Sequence, residues 1–338
     1  MAVLSDVLVV NAGSTSLKLS LVDDDERSHP VDSLTTAPEV GAIGHRVVHG
    51  GERFSAPTLI DDAVTAELAS LLELAPLHNA PALAAITESR ARFPAATQVA
   101  VFDTAFHHTI PAVARTYALP RRFRDRGIRR FGFHGLSIAW AAGQIPVDRL
   151  VVCHLGGGVS VTAVAGGRSI DTTMGFTPLE GVPMGTRAGS VDPGALLHLL
   201  RHGVELDELD HALEHESGLV GLAGSDDVSA LAGDPGPDAV LALDIYCYRI
   251  AQAVAAMTAS LGGLDALAFT AGVGEHSAQI RAQVCTRLGH LGVSLDEAAN
   301  DSLSGEGAIE APASAVQVRV VHAREDVVVA RAVRGLLD

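Results

Sequence analysis

The stretch DVLVVNAGSTSLKLSLV, Asp6 to Val22, reads as two strands and a turn. VLVV (7 to 10) and LKLSLV (17 to 22) are apolar runs, and NAGSTS between them carries a glycine and small hydroxyls that suit a tight turn with free backbone N–H groups. The pattern is a hairpin, not a βαβ unit. It returns at Asp148 to Gly166, DRLVVCHLGGGVSVTAVAG, and both blocks open with D-x-L-V-V, so the chain is expected to hold two related halves. A third element, ALAFTAGVGEHSAQIRAQV (266 to 284), runs from an apolar strand through a Gly turn into a helix expected to begin near Ser277. Strand, Gly turn and helix in succession present backbone N–H groups to phosphate or nucleoside. Lys18 is the only lysine among 24 basic side chains, and it follows the first such turn, where a compact ammonium could meet a phosphate.

Apolar residues at three- and four-residue spacing predict helices over Asp62 to Glu73, Asn79 to Phe93, Pro193 to Arg201 and Ala239 to Leu261. AGDPGPD (232 to 238) and SGEGAIEAPAS (304 to 314) read as surface loops. Strands alternate with helices, so the class is α/β, built as two halves around a cleft.

Composition narrows the partners. A length of 338 residues suggests two domains, and 48% apolar residues suffice for ordinary cores. Forty acidic side chains against 24 basic ones give a formal net charge of −16, which disfavours nucleic acid and anionic membrane and leaves local binding of a small anion open. MAVLSDVLVV has no basic n-region, and no signal peptide or spanning helix is expected there. Cys153, Cys247 and Cys285 form no close metal-type pair, which fits a reducing cytoplasm.

Polar clusters punctuate the apolar frame. GHRVVHGGERF (44 to 54) sets Arg46 beside small residues, VFDTAFHHTIP (101 to 111) puts Asp103 at a strand end, and RRFGFHGLS (129 to 137) places His134 between Phe and Gly. MGFTPLEGVPMGTRAGSVDPG (174 to 194) holds Arg187, and RVVHAREDVVVARA (319 to 332) lifts Glu325 and Asp326 from the end of an apolar strand. Each alone has an ordinary explanation: a surface ion pair, a core histidine, an acid at a helix N-terminus. Together, two arginines, a histidine and carboxylates make the inventory for magnesium-dependent phosphoryl transfer to a small anionic acceptor.

NAGSTSLK, GHRVVHGGE, FDTAFH, RRFGFHG, DTTMGFTPLEGVPMGTRAG and AREDVVVARA, in this order, resemble the acetate kinase (acetokinase) family, of the superfamily of acetate and sugar kinases, Hsp70-type chaperones and actin. The resemblance runs nearly end to end. It implies two related actin/ribonuclease-H-like domains around a central cleft: residues 1–107 with 326–338 on the acceptor side, and 108–325 for nucleotide binding and dimerisation. It also implies a carboxylate kinase that moves the γ-phosphoryl group of ATP to acetate with Mg2+, or Mn2+, as cofactor, in a cytoplasmic homodimer. Asp103, His134, Arg187 and Arg46 match its catalytic residues, and Arg46, Val48, Leu77, His78, Phe133 and Pro178 its acceptor site. Asn11, Lys18, His154, Gly156, Gly157, Gly158, Asp227, Gly272, Gly274, His276 and Ile280 match the nucleotide side, and Asn11 with Glu325 the metal site.

The match has departures. HLGGG (His154 to Gly158) commonly reads H-L-G-N-G in the family, so an amide is lost at Gly157; Ile138 replaces a histidine, His276 an asparagine and Ser229 an arginine. The chain is short between the first hairpin and GHRVVHGGE. The acceptor side is thus intact and the nucleotide side altered. A propionate- or butyrate-preferring kinase, or a non-catalytic nucleotide sensor of the actin/Hsp70 class, are the other readings.

Overall fold

The computed structural model describes residues 6–13, 17–72 and 76–338, and the side chains of residues 76–78 lie outside the description. The tip of the first turn, Ser14 to Ser16, and the side chains of Leu77 and His78, both expected in the acceptor site, therefore fall outside the described residues.

The chain divides into two compact units. The first comprises residues 1–108, 133–140 and 324–338, the second 109–132 and 141–323. The sequence expectation set the boundaries at 107 and 326; in this division residue 108, the segment 133–140 and residues 324–325 lie with the first unit.

The strands are β1 Val7–Ala12, β2 Leu17–Val22, β3 Ser28–Val31, β4 Ala42–Val47, β5 Thr58–Leu59, β6 Thr97–Phe102, β7 Arg149–Leu155, β8 Val159–Ala165, β9 Arg168–Thr172, β10 Ala266–Thr270, β11 Gly307–Ala308 and β12 Gln317–Val320. In the first unit the order is β3-β2-β1-β4-β6-β5, with β1, β4 and β6 parallel and the others antiparallel to their neighbours. In the second it is β9-β8-β7-β10-β12-β11, with β7, β10 and β12 parallel. Chain order and strand directions match one to one, so the repeated D-x-L-V-V marks a duplicated topology. Both hairpins expected from sequence are present.

Alternation sorts the first sheet's faces. Val7, Val9, Ala42, Val99 and Val101 pack under Val327, Val329, Ala330 and Val333 of the helix Glu325–Leu337. Leu8, Val10 and Ile43 face the opposite side with Ala85 and Phe93, from and just after the helix Pro76–Arg92. Gly44 makes the first packing feasible, since a Cβ there would lie 2.4 Å from Val329 Cγ1 and 2.8 Å from Val333 Cγ2.

Several sequence expectations need correction. AREDVVVARA does not follow its strand directly: β12 ends at Val320, and Glu325 opens a helix. Val327, Ala330 and Val333 fall on one helical face, and Glu325 and Asp326 sit in its first turn, the place of an acid at a helix N-terminus. The Gly turn after β10 is a helical turn, Ala271–His276, entered through Ala271 at φ 65°. The helix Ala278–Thr286 does start at Ser277, whose hydroxyl accepts from the Ile280 N–H. The first helix ends at Ser70 rather than Glu73, the second starts at Pro76, and the 304–314 segment contains the edge strand β11.

Pro193–Arg201 forms as expected, capped by Asp192 with Pro at its first position. Pro237–Leu261 is long and apolar enough to cross a membrane by length and composition. Half of that stretch is buried, and Leu243, Cys247, Ile250 and Val254 recur at helical spacing inside the second unit.

Candidate active site

The first unit gathers polar side chains at the carboxyl ends of its parallel strands, where open α/β sheets bind ligands. Lys18, Asn11 and Arg46 form one row across β2, β1 and β4, and paired residues in neighbouring strands project to the same face. Asp103 follows β6 directly. Arg46 donates to it twice, from Nε to Oδ1 at 3.1 Å and from Nη2 to Oδ2 at 2.5 Å. Its Nη1 donates to Asn11 Oδ1 at 3.0 Å, and Asn11 Nδ2 donates to Glu325 Oε2 at 3.3 Å. That carboxylate oxygen is also 3.4 Å from Arg46 Nε. Glu325 reaches this point because its helix lies over Gly44, two residues before Arg46 on the same face.

The charges balance unevenly. Burial works against the Arg46 charge, but Asp103 and Glu325 outweigh it and hold its pKa above the ordinary arginine value. Burial pushes the Asp103 carboxyl up to about 6, with Glu325 adding to the rise and Arg46 opposing it. One cation thus holds two carboxylates, and the cluster gains from any further cation at its open edge. Lys18 is exposed at the end of the row.

His134 is brought to the same region by a close backbone approach. It takes φ 62°, unusual for a non-glycine residue, and Gly135 follows with no room for a Cβ: one would lie 2.0 Å from the Asp103 carbonyl oxygen. His107 donates from Nε2 to the Phe133 carbonyl at 2.9 Å. The FDTAFH and GFHG blocks are therefore one packed unit. Val48 and Phe133 are both buried, with the Phe133 ring edge-on to His49 at 5.6 Å.

The second unit places its glycine turns side by side. His154 pairs with Thr270 of β10 and Ser160 of β8, as Asn11 pairs with Arg46 and Lys18. Gly156 to Gly158 link β7 to β8, and a Cβ on Gly156 would meet Ala271 at 3.6 Å. Gly157 and Gly272 have open space above the backbone, whereas Gly274 packs against Phe269. His276 is exposed, with its ring 6.5 Å from that of His322. Asp227 caps the helix Val228–Gly233 by accepting from the Ser229 and Ala230 N–H groups. Ile280, in the first turn of the helix Ala278–Thr286, is buried, and its N–H donates to the Ser277 hydroxyl.

Pro178 and Arg187 also belong to the second unit. Arg187 is held from Nε by Glu214 Oε2 at 2.8 Å.

The profile of the acetokinase family matches residues 32–331. The chain belongs to the acetokinase family. An acetate kinase of Gloeobacter violaceus is 50% identical over 307 residues, covering 87% of this chain and 76% of the relative. One from Rhodopseudomonas palustris (strain TIE-1) is 46% identical over 316 residues, covering 90% and 79%. Among solved structures, the Porphyromonas gingivalis acetate kinase aligns with a TM-score of 0.87 at 32% identity, across 99% of this chain and 100% of that one. A propionate kinase from Francisella tularensis aligns at 0.91 and 33%, across 98% and 99%. The two-unit α/β fold is thus that of acetokinase-family structures.

Three supports in this family member escaped sequence reasoning. Asn79 accepts from the His49 N–H and donates to the His49 carbonyl, both at 3.1 Å, and Thr104 Oγ1 accepts from the Gly50 N–H at 3.0 Å. Both brace the loop after Arg46. The third is Glu214, an acid in the last turn of an amphipathic helix, which nothing in the sequence distinguishes from a solvated charge.

Proposed function

We propose that this acetokinase-family chain catalyses reversible Mg2+-dependent transfer of the γ-phosphoryl group of ATP to acetate, giving acetyl phosphate and ADP. What carries the reading is identity of 46–50% to relatives named acetate kinase over nearly nine-tenths of the chain. It favours acetate over a propionate- or butyrate-preferring activity and over a nucleotide sensor.

In this reading the first unit with its C-terminal helix serves the acceptor, and the second serves nucleotide and dimerisation. The acetate carboxylate is ionised at neutral pH, so no general base is required; the protein must bring two anions together. Arg46, oriented by Asp103, pairs the acceptor carboxylate, and Val48, Leu77, Phe133 and Pro178 receive its methyl group. Arg187 meets charge on the transferring phosphoryl group, and His134 and His78 donate hydrogen bonds to it. Lys18 and the His154 to Gly158 turn hold phosphate oxygens, while Asp227, Gly272, Gly274 and His276 border the nucleoside.

The Asn11 amide oxygen and the Glu325 carboxylate are hard donors of the kind Mg2+ takes together with water and phosphate oxygens. Such an ion would neutralise charge on the β and γ oxygens. A homodimer is supported by exposed apolar side chains on the second unit, among them Leu197, Leu200, Leu206 and Leu241. Three free, buried cysteines suit a reducing cytoplasm.

The test is acyl phosphate formation with acetate, propionate and butyrate, each offered ATP, GTP and pyrophosphate. Acetyl phosphate from acetate and ATP is expected; ATP binding or hydrolysis without any acyl phosphate would defeat the proposal.

A further inference from the structure

Arg187 sits in a cradle more elaborate than one ion pair. Its backbone carbonyl accepts from the Met184 N–H at 2.9 Å. Thr186 Oγ1 donates to the Glu214 carbonyl at 2.8 Å, and the Ser217 N–H donates to the Thr186 carbonyl at 2.9 Å. Gly218, at φ 62°, lets the chain pass close beneath, since a Cβ there would lie 2.2 Å from the Met184 carbonyl oxygen and 2.6 Å from that of Arg187. The end of the helix Leu206–His215 is thereby fixed against the Thr186–Arg187 backbone.

Glu214 lies in the last turn of that helix, where a carboxylate meets the negative end of the helix dipole. It is 16% exposed and Arg187 is 14% exposed, so the pair is poorly solvated. Its Oε2 accepts from Arg187 Nε, and among the described residues no hydrogen bond engages Nη1 or Nη2. The guanidinium is held by its one inner nitrogen while the two outer nitrogens keep their four N–H donors.

We infer that Glu214 is a positioning residue for Arg187: it fixes the plane and reach of the guanidinium so that both outer nitrogens face the phosphoryl group. This rests on the catalytic role proposed for Arg187. A guanidinium on a long side chain otherwise samples many rotamers, and misplacement by about 1 Å can cost on the order of 10²-fold in rate.

A double-mutant cycle with Arg187→Ala tests it, using purified full-length chain, kcat and KM for acetate and ATP, and thermal melting. Glu214→Ala is expected to lower kcat by roughly 10- to 100-fold with little change in KM, as misplacement predicts. It should have no further effect in the Arg187→Ala background. Glu214→Gln, which keeps an acceptor oxygen at the same reach, should restore most of the turnover; Glu214→Asp, one methylene shorter, should not. If Glu214→Ala proves unfolded, the Gln and Asp variants carry the comparison. Equal turnover for wild type and Glu214→Asp, or a Glu214 effect that persists without Arg187, would overturn the inference. Near-normal turnover of Arg187→Ala alone would instead overturn the role of Arg187 itself.

Discussion

Arg46 grips Asp103 with two nitrogens, and Asp103 is wholly buried, so the arginine expected to hold the acceptor is itself aimed by a carboxylate that solvent does not reach. The pair operates only while Asp103 is ionised. Burial raises its carboxyl to about 6. As pH falls through that value the carboxylate gains a proton and Arg46 loses its fixed orientation, so kcat/KM should decline along an acid limb near pH 6. Asp103→Asn should lower activity at pH 7 and flatten the limb. A pH profile with the same limb in wild type and Asp103→Asn would assign it to another group.

Two buried histidines set a stability limit in acid. Burial lowers the pKa of both His45 and His107 to about 4, despite hydrogen bonds to Gln98 and the Phe133 carbonyl. Both are depressed below the unfolded value of about 6.5, so the unfolded chain binds more protons between those limits. Stability should be fully present above pH 6.5 and fall as pH drops toward 4, by an amount on the order of a few kcal/mol. Urea midpoints at pH 7, 6 and 5 measure the slope, and His107→Gln should make it shallower. A midpoint constant from pH 7 to 5 would refute this.

Two glycines of one helix should respond oppositely to alanine. In Gly135–Gln144, a Cβ at Gly135 would lie 2.0 Å from the Asp103 carbonyl oxygen, whereas one at Gly143 would have nothing within 4 Å. Gly135→Ala is expected to destabilise by about 1–3 kcal/mol through overpacking and to depress turnover by shifting Asp103. Gly143→Ala should stabilise by about 0.5–1 kcal/mol, the helix-interior difference between the two residues. Thermal melts of the pair decide it, and equal melting temperatures would count against the packing described.

Acceptor size should be read by Val48. It is 5% exposed, immediately after β4, so its methyl groups have little freedom to retreat. One extra methylene in an apolar pocket is worth about 1–3 kcal/mol, hence a moderate preference for acetate over propionate in kcat/KM. Val48→Ala should narrow the gap. Equal or better use of butyrate by the wild type would contradict the pocket assignment.

Legibility followed local chemistry. The two hairpins were readable because apolar alternation and small turn residues occur together, and their shared opening foretold the duplicated sheet order. Pro193–Arg201 was readable to the residue because Asp192, Pro193 and Arg201 supply cap, first turn and last turn. The helix after Glu325 was legible only in its first turn, as an acid at a helix N-terminus, since Val327 to Val329 also satisfy a strand and packing against Val7, Val9 and Val99 decides the period. Arg46, Asp103 and Glu325 were picked out from motifs. The approach of Glu325 depends on Gly44 and that of His134 on Gly135, whose lack of a side chain matters only once the partner helix or backbone is in place. Lys18 drew notice by its rarity, and the register set it beside Asn11. Glu214 gave no signal, because its role exists only through Arg187.

The most direct test is kcat/KM for acetyl phosphate formation from acetate and ATP by Arg46→Lys, with folding verified by circular dichroism. Lysine keeps the positive charge beside Asp103 but cannot reproduce the two-nitrogen grip on it together with the bond to Asn11. A loss of roughly 10²- to 10³-fold in a folded protein is expected, the scale of removing one preorganised donor at a reacting centre. A folded Arg46→Lys enzyme within a few-fold of wild type would contradict the account.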